Sequence, residues 1–237
     1  MGTAVVYLEH GLIYNRVKKS GNSSVLFYLR DLLGMALESE RSAAGDYRES
    51  KRKAIAVGRG LDALSARQLM QAGRFFRFTI FRNPYSRCLS MYLAKQSKHA
   101  GGSAKYTEVP GFEDNSPEGF ARFVSFLEEG GLHYDKHFWP QCDLLMCPYE
   151  QFDHIGQLER LREELDYVFR MVGLGIRTDQ VVNQPHAADQ RNPMKVKGAN
   201  ARLAEYYTED LASRVEALYG EDFVAGGYQR GFSGRVR

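Results

Sequence analysis

Two short stretches of this chain combine the residue types that bind anions in proteins. Residues 18–24 read KKSGNSS, with two lysines, a glycine and three serines in seven positions. Residues 82–92 read RNPYSRCLSMY, in which Arg82, Arg87 and Ser90 lie within nine positions. Lysine and arginine bring positive charge, hydroxyl groups donate hydrogen bonds, and glycine lets the main chain come close to a ligand. Both stretches are therefore candidate sites for phosphate or sulfate groups.

Each stretch is predicted to join a β-strand to an α-helix. Residues 12–18 (LIYNRVK) predict a short strand, and residues 23–37 follow as an amphipathic helix. Residues 75–81 (FFRFTIF) predict a second strand, after which Asn83 and Pro84 are typical of the cap and first position of a helix that runs to about residue 98. A helix N-terminus presents unpaired N–H groups and the positive end of the helix dipole. Loops that enter helices in this way bind anions readily.

The rest of the pattern predicts further strands and helices around these two junctions. They are a strand at 54–58, a helix at 65–72, a surface loop at 99–116, a helix at 117–129, a strand at 144–148, a helix at 155–172 and a final helix at 203–219. Strands that alternate with helices favour an α/β fold, with a mostly parallel central sheet flanked by helices and ligands at the carboxyl ends of its strands. No repeat or linker divides the chain, so a single domain over residues 1–237 is expected.

The composition is that of an ordinary globular protein. Of the 237 residues, 43% are apolar and 26% are charged, and 32 basic against 29 acidic residues give a net charge of +3. No run reaches the ~18 apolar residues that span a bilayer, and the N-terminus lacks the features of a secretory signal. The three cysteines are too few for a disulfide framework, and their spacing fits no zinc site. We expect a cytoplasmic protein with reduced thiols, no membrane span, no metal and no nucleic-acid partner.

Two anion sites in one sheet suggest a ligand with two separate anionic groups. A nucleoside that carries phosphate at both its 3′ and its 5′ end is such a ligand. Between residues 63 and 107 the chain has eight basic and no acidic residues, which adds positive charge around the second site. The first site is not a triphosphate-binding loop, because G-x-x-x-x-G-K-[ST] occurs nowhere in the chain.

Five segments together resemble a known family. KKSGNSS and RNPYSRCLSMY are similar to the 5′-phosphosulfate and 3′-phosphate motifs of the sulfotransferases, in particular the carbohydrate branch, sulfotransferase family 2. HFWPQCDLL (137–145) resembles the family's His-Trp-x-Pro-Gln element, with Phe138 in place of tryptophan. FDHIGQLERL (152–161) and LYGEDFVAGGY (218–228) resemble two later signatures. The resemblance covers about residues 12–228 and is carried by the ordered set of segments.

The resemblance implies a P-loop-like three-layer α/β fold and a sulfuryl donor, 3′-phosphoadenosine 5′-phosphosulfate (PAPS), used without a metal. Lys19 matches the family's lysine on the bridging oxygen, and Arg82 and Ser90 match the pair on the 3′-phosphate. The cradle for the 5′ end is formed by Ser20, Gly21, Asn22, Ser23 and Ser24. In this fold a late basic loop commonly closes over the nucleotide, and here Lys197 and Gly198 would serve. The acceptor implied is a carbohydrate hydroxyl, while small-molecule, lipid-linked and peptide acceptors stay open, as does the oligomeric state.

The general base and the function class leave alternatives open. A base must take the proton of the acceptor hydroxyl, and His137 is the first candidate, followed by His133. His137 could instead pack structurally beside Trp139 and Pro140. The chain could also be a P-loop-like kinase, although the triphosphate loop is absent, or a non-catalytic protein that binds nucleotides or glycans with the same fold.

Overall fold

The computed structural model describes residues 3–7, 10–33, 68, 75–180 and 198–233. The chain divides into two compact units, which are described separately below. Unit 1 comprises Met1–Phe81 and Leu144–Lys195, and unit 2 comprises Arg82–Asp143 and Val196–Arg237. The predicted strand at 54–58 and Lys197 lie outside the described residues, and of the predicted helix at 65–72 only Gln68 is described.

The described elements are β-strands and α-helices, joined by loops and short 3₁₀ turns. The strands are β1 (Thr3–Tyr7), β2 (Leu12–Arg16), β3 (Phe76–Phe81) and β4 (His154–Gln157). The helices are α1 (Asn22–Leu32), α2 (Pro84–Ala100), α3 (Pro117–Glu128), α4 (Leu161–Met171), α5 (Leu203–Tyr206), α6 (Glu209–Leu218) and α7 (Gly220–Ala225).

Among the described residues, unit 1 contains a sheet of four strands in the order β1-β2-β3-β4. Strands β2, β3 and β4 are parallel, and β1 pairs with β2 in the antiparallel direction. The α/β class and the mostly parallel sheet flanked by helices are thereby confirmed, an arrangement consistent with the P-loop-like fold. Strand β1 was not predicted, although its sequence TAVVY is rich in the small and β-branched residues that favour strands.

Each face of the sheet has its own apolar core. On one face, α1 and α4 cover β2 and β3, and the fully buried side chains there include Val25, Leu29, Phe78 and Leu165. The opposite face buries Ala4, Val6 and Ile13 against Met146 and Cys147. Because successive residues of a strand point to opposite faces, Leu12 and Tyr14 join the first core while Ile13 joins the second. The helix α1 is therefore fixed behind the loop that connects it to β2.

Two predictions for the segment 144–172 are wrong. Residues 144–148 are not a strand, because the buried side chain of Asn15 takes main-chain groups that a strand would pair. Its amide donates to the carbonyl of Leu144 (3.3 Å) and accepts from the N–H of Met146 (3.1 Å). The strand lies instead at β4, which overlaps the start of the segment predicted as the helix 155–172, and α4 begins only at Leu161. A buried Gly156 in β4 allows close packing against Ile80 and Glu164.

Unit 2 packs its helices around aromatic rings. Tyr92 of α2 lies against Phe120 and Phe123 of α3, with ring centroids 5.3 and 5.8 Å away. The predicted helix 203–219 is divided into α5 and α6, because the hydroxyl of Thr208 accepts the N–H of Leu211 and starts a new helix there. Within the described ranges, no helix combines the length and the apolar character needed to cross a bilayer.

Candidate active site

The loop between β2 and α1 turns on two residues with left-handed backbone. Lys19 and Gly21 both have φ of 68°, and Lys19 is the only non-glycine residue with positive φ among those described. A lysine in this region is strained, since its Cβ crowds the following carbonyl. Ser20 between them is fully buried, and its N–H donates to the carbonyl of Val17 at 3.4 Å. The backbone therefore wraps tightly around the position where α1 begins.

Gly21 is the N-cap of α1, and the local geometry requires a glycine there. Its carbonyl accepts the N–H groups of Ser24 (2.8 Å) and Val25 (3.0 Å), which starts the helix. A Cβ on Gly21 would lie 2.3 Å from Cδ1 of Leu158, the residue after β4. No side chain caps this end, and the first turn contains no acidic residue. Because the first N–H groups of a helix have no partner within it, this end favours an anion.

Asn22 braces the loop from the inside. Its amide oxygen accepts the hydroxyl of Tyr14 at 2.7 Å, and its amide nitrogen donates to the carbonyl of Val17 at 2.7 Å. Burial raises the pKa of Tyr14 well above its usual range, so its hydroxyl stays protonated as a donor. The structure thus ties Asn22 to the strand and the loop, while Ser23 and Ser24 lie partly exposed in the first turn of α1.

The second predicted anion site lies at the start of α2 in unit 2. As predicted, Asn83 caps this helix by accepting the N–H of Tyr85 at 3.1 Å, and Pro84 takes the first helical position. The guanidinium of Arg82 donates through Nε to Oγ of Ser86 (2.9 Å) and through one terminal nitrogen to Oδ1 of Asn200 (2.9 Å). These contacts hold the positive charge of Arg82 over the first turn of α2.

Sequence reasoning missed Ser86 and Asn200 as partners of this guanidinium. Ser86 follows Arg82 by four positions, a spacing that brings side chains together at a helix start, so this signal was available. Asn200 comes from the other end of the chain and carries no local signal. It lies two residues after Gly198, which is exposed and precedes the 3₁₀ turn Ala199–Arg202. The structure thus brings Asn200, two residues after Gly198, to Arg82. Ser90, one turn after Ser86 on α2, is partly exposed.

His137 belongs to a cluster of charged groups in unit 2. Its Nδ1 lies 2.6 Å from Oδ1 of Asp135 and 3.2 Å from Nζ of Lys95. Because a carboxylate only accepts hydrogen bonds, the shorter contact with Asp135 favours the tautomer with a proton on Nδ1 over the one that would accept from Lys95. The side chains of Asp135 and Lys95 are each 3% exposed, whereas that of His137 is 32% exposed. The ring is therefore fixed from the buried side and partly open on the other.

Asp135 is held as a carboxylate. Burial by itself would raise its pKa, but hydrogen bonds from His137, Lys105 and Tyr106 outweigh burial and hold the pKa of Asp135 well below its usual range. Lys105 Nζ lies 2.5 Å and the Tyr106 hydroxyl 2.8 Å from Oδ2 of this residue. Asp135 therefore keeps its negative charge, and with it the hydrogen bond to His137, at neutral pH.

His133, the second candidate for the base, has different surroundings. Its side chain is 57% exposed, and Nε2 lies 3.0 Å from Oδ2 of Asp143. The ring meets Trp139 edge-on at 5.2 Å, and the indole N–H donates to the carbonyl of His133 at 3.1 Å. Among the described residues, no three or more histidine, cysteine, aspartate or glutamate side chains are placed to hold a metal ion.

Comparison with known families decides what these sites belong to. A sequence model of the sulfotransferase family matches residues 3–229. The chain is a member of the sulfotransferase family. The predicted family is confirmed, and the match runs through the Lys19 loop, the Arg82 site and the His137 segment. Searches of curated proteins and of solved structures gave no significant match. Membership of this family gives the reaction type, which is the transfer of a sulfuryl group to an acceptor.

Proposed function

We propose that this sulfotransferase moves a sulfuryl group from PAPS to a hydroxyl group of a carbohydrate. The observation that carries the proposal is the loop between β2 and α1, where the left-handed Lys19 and Gly21 lead into an uncapped helix N-terminus. Helix N-termini and turns of this kind bind anionic groups such as phosphate through main-chain N–H groups. PAPS supplies an activated sulfuryl group on its 5′-phosphate.

Lys19 is assigned to the leaving side of the reaction. The transfer forms a bond between sulfur and the acceptor oxygen and breaks the bond between sulfur and the bridging oxygen. The electrons of the broken bond remain on the phosphate, where negative charge increases. A lysine ammonium placed at that oxygen stabilises this charge as it develops, which favours the transition state over the bound substrate.

Arg82 and Ser90 are assigned to the 3′-phosphate. A guanidinium suits this role because its planar N–H groups match the oxygens of a phosphate. Ser86 and Asn200 support the assignment by holding the guanidinium of Arg82 at the start of α2. Lys197 and Gly198, which immediately precede the turn that carries Asn200, are assigned to the loop that covers the nucleotide.

His137 is assigned as the general base. With the proton of Nδ1 directed to Asp135, the neutral imidazole has its basic lone pair on Nε2, which takes the proton of the acceptor hydroxyl as the new bond forms. The partial exposure of His137 gives an acceptor a way to reach the ring. His133 is the second candidate. Asp135 corresponds to the residue that orients a catalytic histidine in other enzymes, so it is a positioning residue.

The carbohydrate acceptor rests on the resemblance of the five segments to the carbohydrate branch. Acceptor contacts are assigned to the loop 99–116, which the structure describes, and to the segment 38–53, which lies outside the described residues. Small-molecule, lipid-linked and peptide hydroxyls are the alternatives that an acceptor screen would separate.

Calorimetric binding of two nucleotides tests the proposal. Adenosine 3′,5′-bisphosphate should bind, and ATP with Mg²⁺ should bind much more weakly, because the proposal assigns two separate anion sites and the sequence has no triphosphate loop. Preference for ATP would favour a kinase and overturn the proposal.

The variant Arg82→Ala tests the 3′-phosphate site. It should weaken binding of the bisphosphate at least about tenfold, the effect of losing a charge-assisted hydrogen bond, and weaken binding of adenosine 5′-phosphosulfate far less. Equal losses for both ligands would mean that Arg82 only supports the fold.

A further inference from the structure

Gln141 binds both main-chain groups of Arg82. Its amide oxygen accepts the N–H of Arg82 at 2.9 Å, and its amide nitrogen donates to the carbonyl of Arg82 at 2.9 Å. The side chain of Gln141 is fully buried. Arg82 lies between the end of β3 and the start of α2, so its peptide groups belong to neither the strand ladder nor the helix. A two-point contact of this kind fixes the peptide planes on both sides of Arg82.

Asp222 of α7 in turn fixes the main chain that carries Gln141. Its two carboxylate oxygens accept the N–H groups of Gln141 (2.8 Å) and Cys142 (3.0 Å). Asp222 is fully buried and lies 3.9 Å from the guanidinium of Arg87, which also donates to the carbonyl of Trp139 at 2.7 Å. The segment 139–142 is therefore held from both ends by a buried ion pair. The ion pair thus fixes the main chain of Gln141 in the position from which its side chain binds Arg82.

The guanidinium of Arg82 is oriented at its other end by Ser86 and Asn200, as described above. Both its backbone and its head group are thus fixed. Because charge-assisted hydrogen bonds to phosphate depend on angle as well as distance, a rotation of the Arg82 backbone would misalign the head group. Releasing the backbone would therefore reduce its affinity for a phosphate without removing the charge.

We propose that Gln141, with Asp222 behind it, is a positioning residue that sets the preference of this enzyme for a nucleotide with a 3′-phosphate. The inference rests on the proposed function, because it takes Arg82 as the residue that binds this phosphate. It assigns the preference to a glutamine 59 positions along the chain, which need not touch the nucleotide.

The test measures binding of adenosine 3′,5′-bisphosphate and of adenosine 5′-monophosphate to the same variants by calorimetry. Gln141→Met keeps the length of the side chain and removes both hydrogen bonds to Arg82. It should weaken the bisphosphate about tenfold and the monophosphate less than about twofold. Asp222→Asn replaces one of the two acceptors by a donor. It should also weaken the bisphosphate more than the monophosphate and so lower the ratio of the two affinities. Melting temperatures identify a variant that fails to fold. If Gln141→Met fails to fold, the ratio of the two affinities in Asp222→Asn decides the test.

Tyr219→Phe is the matched control. The buried Tyr219 hydroxyl donates to the carbonyl of Phe138 at 2.8 Å, so the variant removes a hydrogen bond from the neighbouring part of the same segment without touching Gln141 or Arg82. Its melting temperature should fall while the ratio of the two affinities stays as in the wild type. A changed ratio in this control would show that general loosening of the segment is enough, which overturns the inference.

A double-mutant comparison separates positioning from support of the fold. In an Arg82→Ala background, Gln141→Met should have no further effect on the affinity ratio, because the side chain that it positions is gone. An additive effect, or equal losses for both nucleotides in the single variant, would overturn the inference and leave the proposed function standing. If the wild-type enzyme bound the bisphosphate and the monophosphate equally, both this inference and the proposed function would be overturned.

Discussion

Lys19 occupies a backbone conformation that lysine rarely adopts. Its φ of 68° places a charged side chain at the turn where the chain enters α1. We predict that Lys19→Ala lowers kcat by about 10² to 10³, the usual effect of removing one group that stabilises developing charge, with only a moderate loss of bisphosphate affinity. Steady-state rates and calorimetric binding measure the two effects separately.

Lys18→Ala is the control for this prediction. Lys18 is the adjacent lysine in the same turn, so its removal lowers the local positive charge by the same amount. We expect kcat to stay within a few-fold of the wild type. A similar loss of rate in both variants would assign the effect to the general field of the loop rather than to Lys19.

His137 and Asp135 lend themselves to paired substitutions. His137→Ala should abolish transfer to the acceptor while the donor nucleotide binds with near-native affinity, since a base acts on the acceptor side of the sulfur. Asp135→Asn should lower kcat and leave donor affinity unchanged. An amide that turns its NH₂ toward Nδ1 favours the tautomer with the proton on Nε2, which leaves no basic lone pair for the acceptor.

His133→Ala is the control for the segment that carries His137. Full activity per folded molecule in His137→Ala would move the base to His133.

At the scale of single elements, the strand-to-helix junctions were the most predictable part of the molecule. The strand FFRFTIF, the Asn83 cap and Pro84 at the helix start all appear as expected, because each depends on neighbours within a few residues. The prediction of a strand at 144–148 failed for the opposite reason. There Asn15, about 130 positions away, takes the main-chain groups of the segment, and no local pattern reports this contact.

Gly21→Ala tests the geometry of the first junction. We predict a loss of about 1–2 kcal/mol in the free energy of unfolding, measured by urea denaturation, because alanine is strained at positive φ. The variant should also bind the bisphosphate more weakly. Adding Leu158→Ala removes the side chain that the new Cβ would meet. If this second change restored stability and binding, crowding by Leu158 rather than backbone strain would be the cause.

At the scale of the whole molecule, the family was predictable and the supporting contacts were not. The order of five short segments along the chain was enough to indicate a sulfotransferase, since order is preserved in a linear sequence. The hydrogen bonds that hold Arg82 join it to Gln141 and Asn200, which are 59 and 118 positions away. Such pairings arise only when the chain folds, so the sequence predicted neither Gln141 nor Asn200 as a residue that orients Arg82.

The response of the fold to acid can be predicted from Asp153. Burial would raise its pKa, but hydrogen bonds from the main chain and guanidinium of Arg77 outweigh burial and lower the pKa below its usual value of 3.8. A lowered pKa contributes stability above that value, and the contribution is lost as the pH falls through the folded-state pKa. Asp153→Asn should therefore destabilise the protein at pH 7, and the difference from the wild type should shrink below about pH 4.

Urea denaturation over a pH series measures this difference, with Asp179→Asn as the control. Asp179 pairs with Arg177 on the surface at 3.2 Å, and both side chains are more than half exposed. Exposed pairs of this kind contribute little to stability. A pH-independent difference between Asp153→Asn and the wild type would contradict the assignment.

The left-handed backbone at Lys19 has a consequence for anyone who tries to stabilise this enzyme. A procedure that ranks substitutions by folding free energy alone would single out position 19, because glycine adopts positive φ without strain. The better-folded protein would lack the ammonium group assigned to the departing phosphate. Glycine at position 19 would thus raise folding stability and lower kcat, a trade-off that enzymes commonly show at their functional residues. Heat tolerance would have to be sought elsewhere in the chain, with this turn left alone.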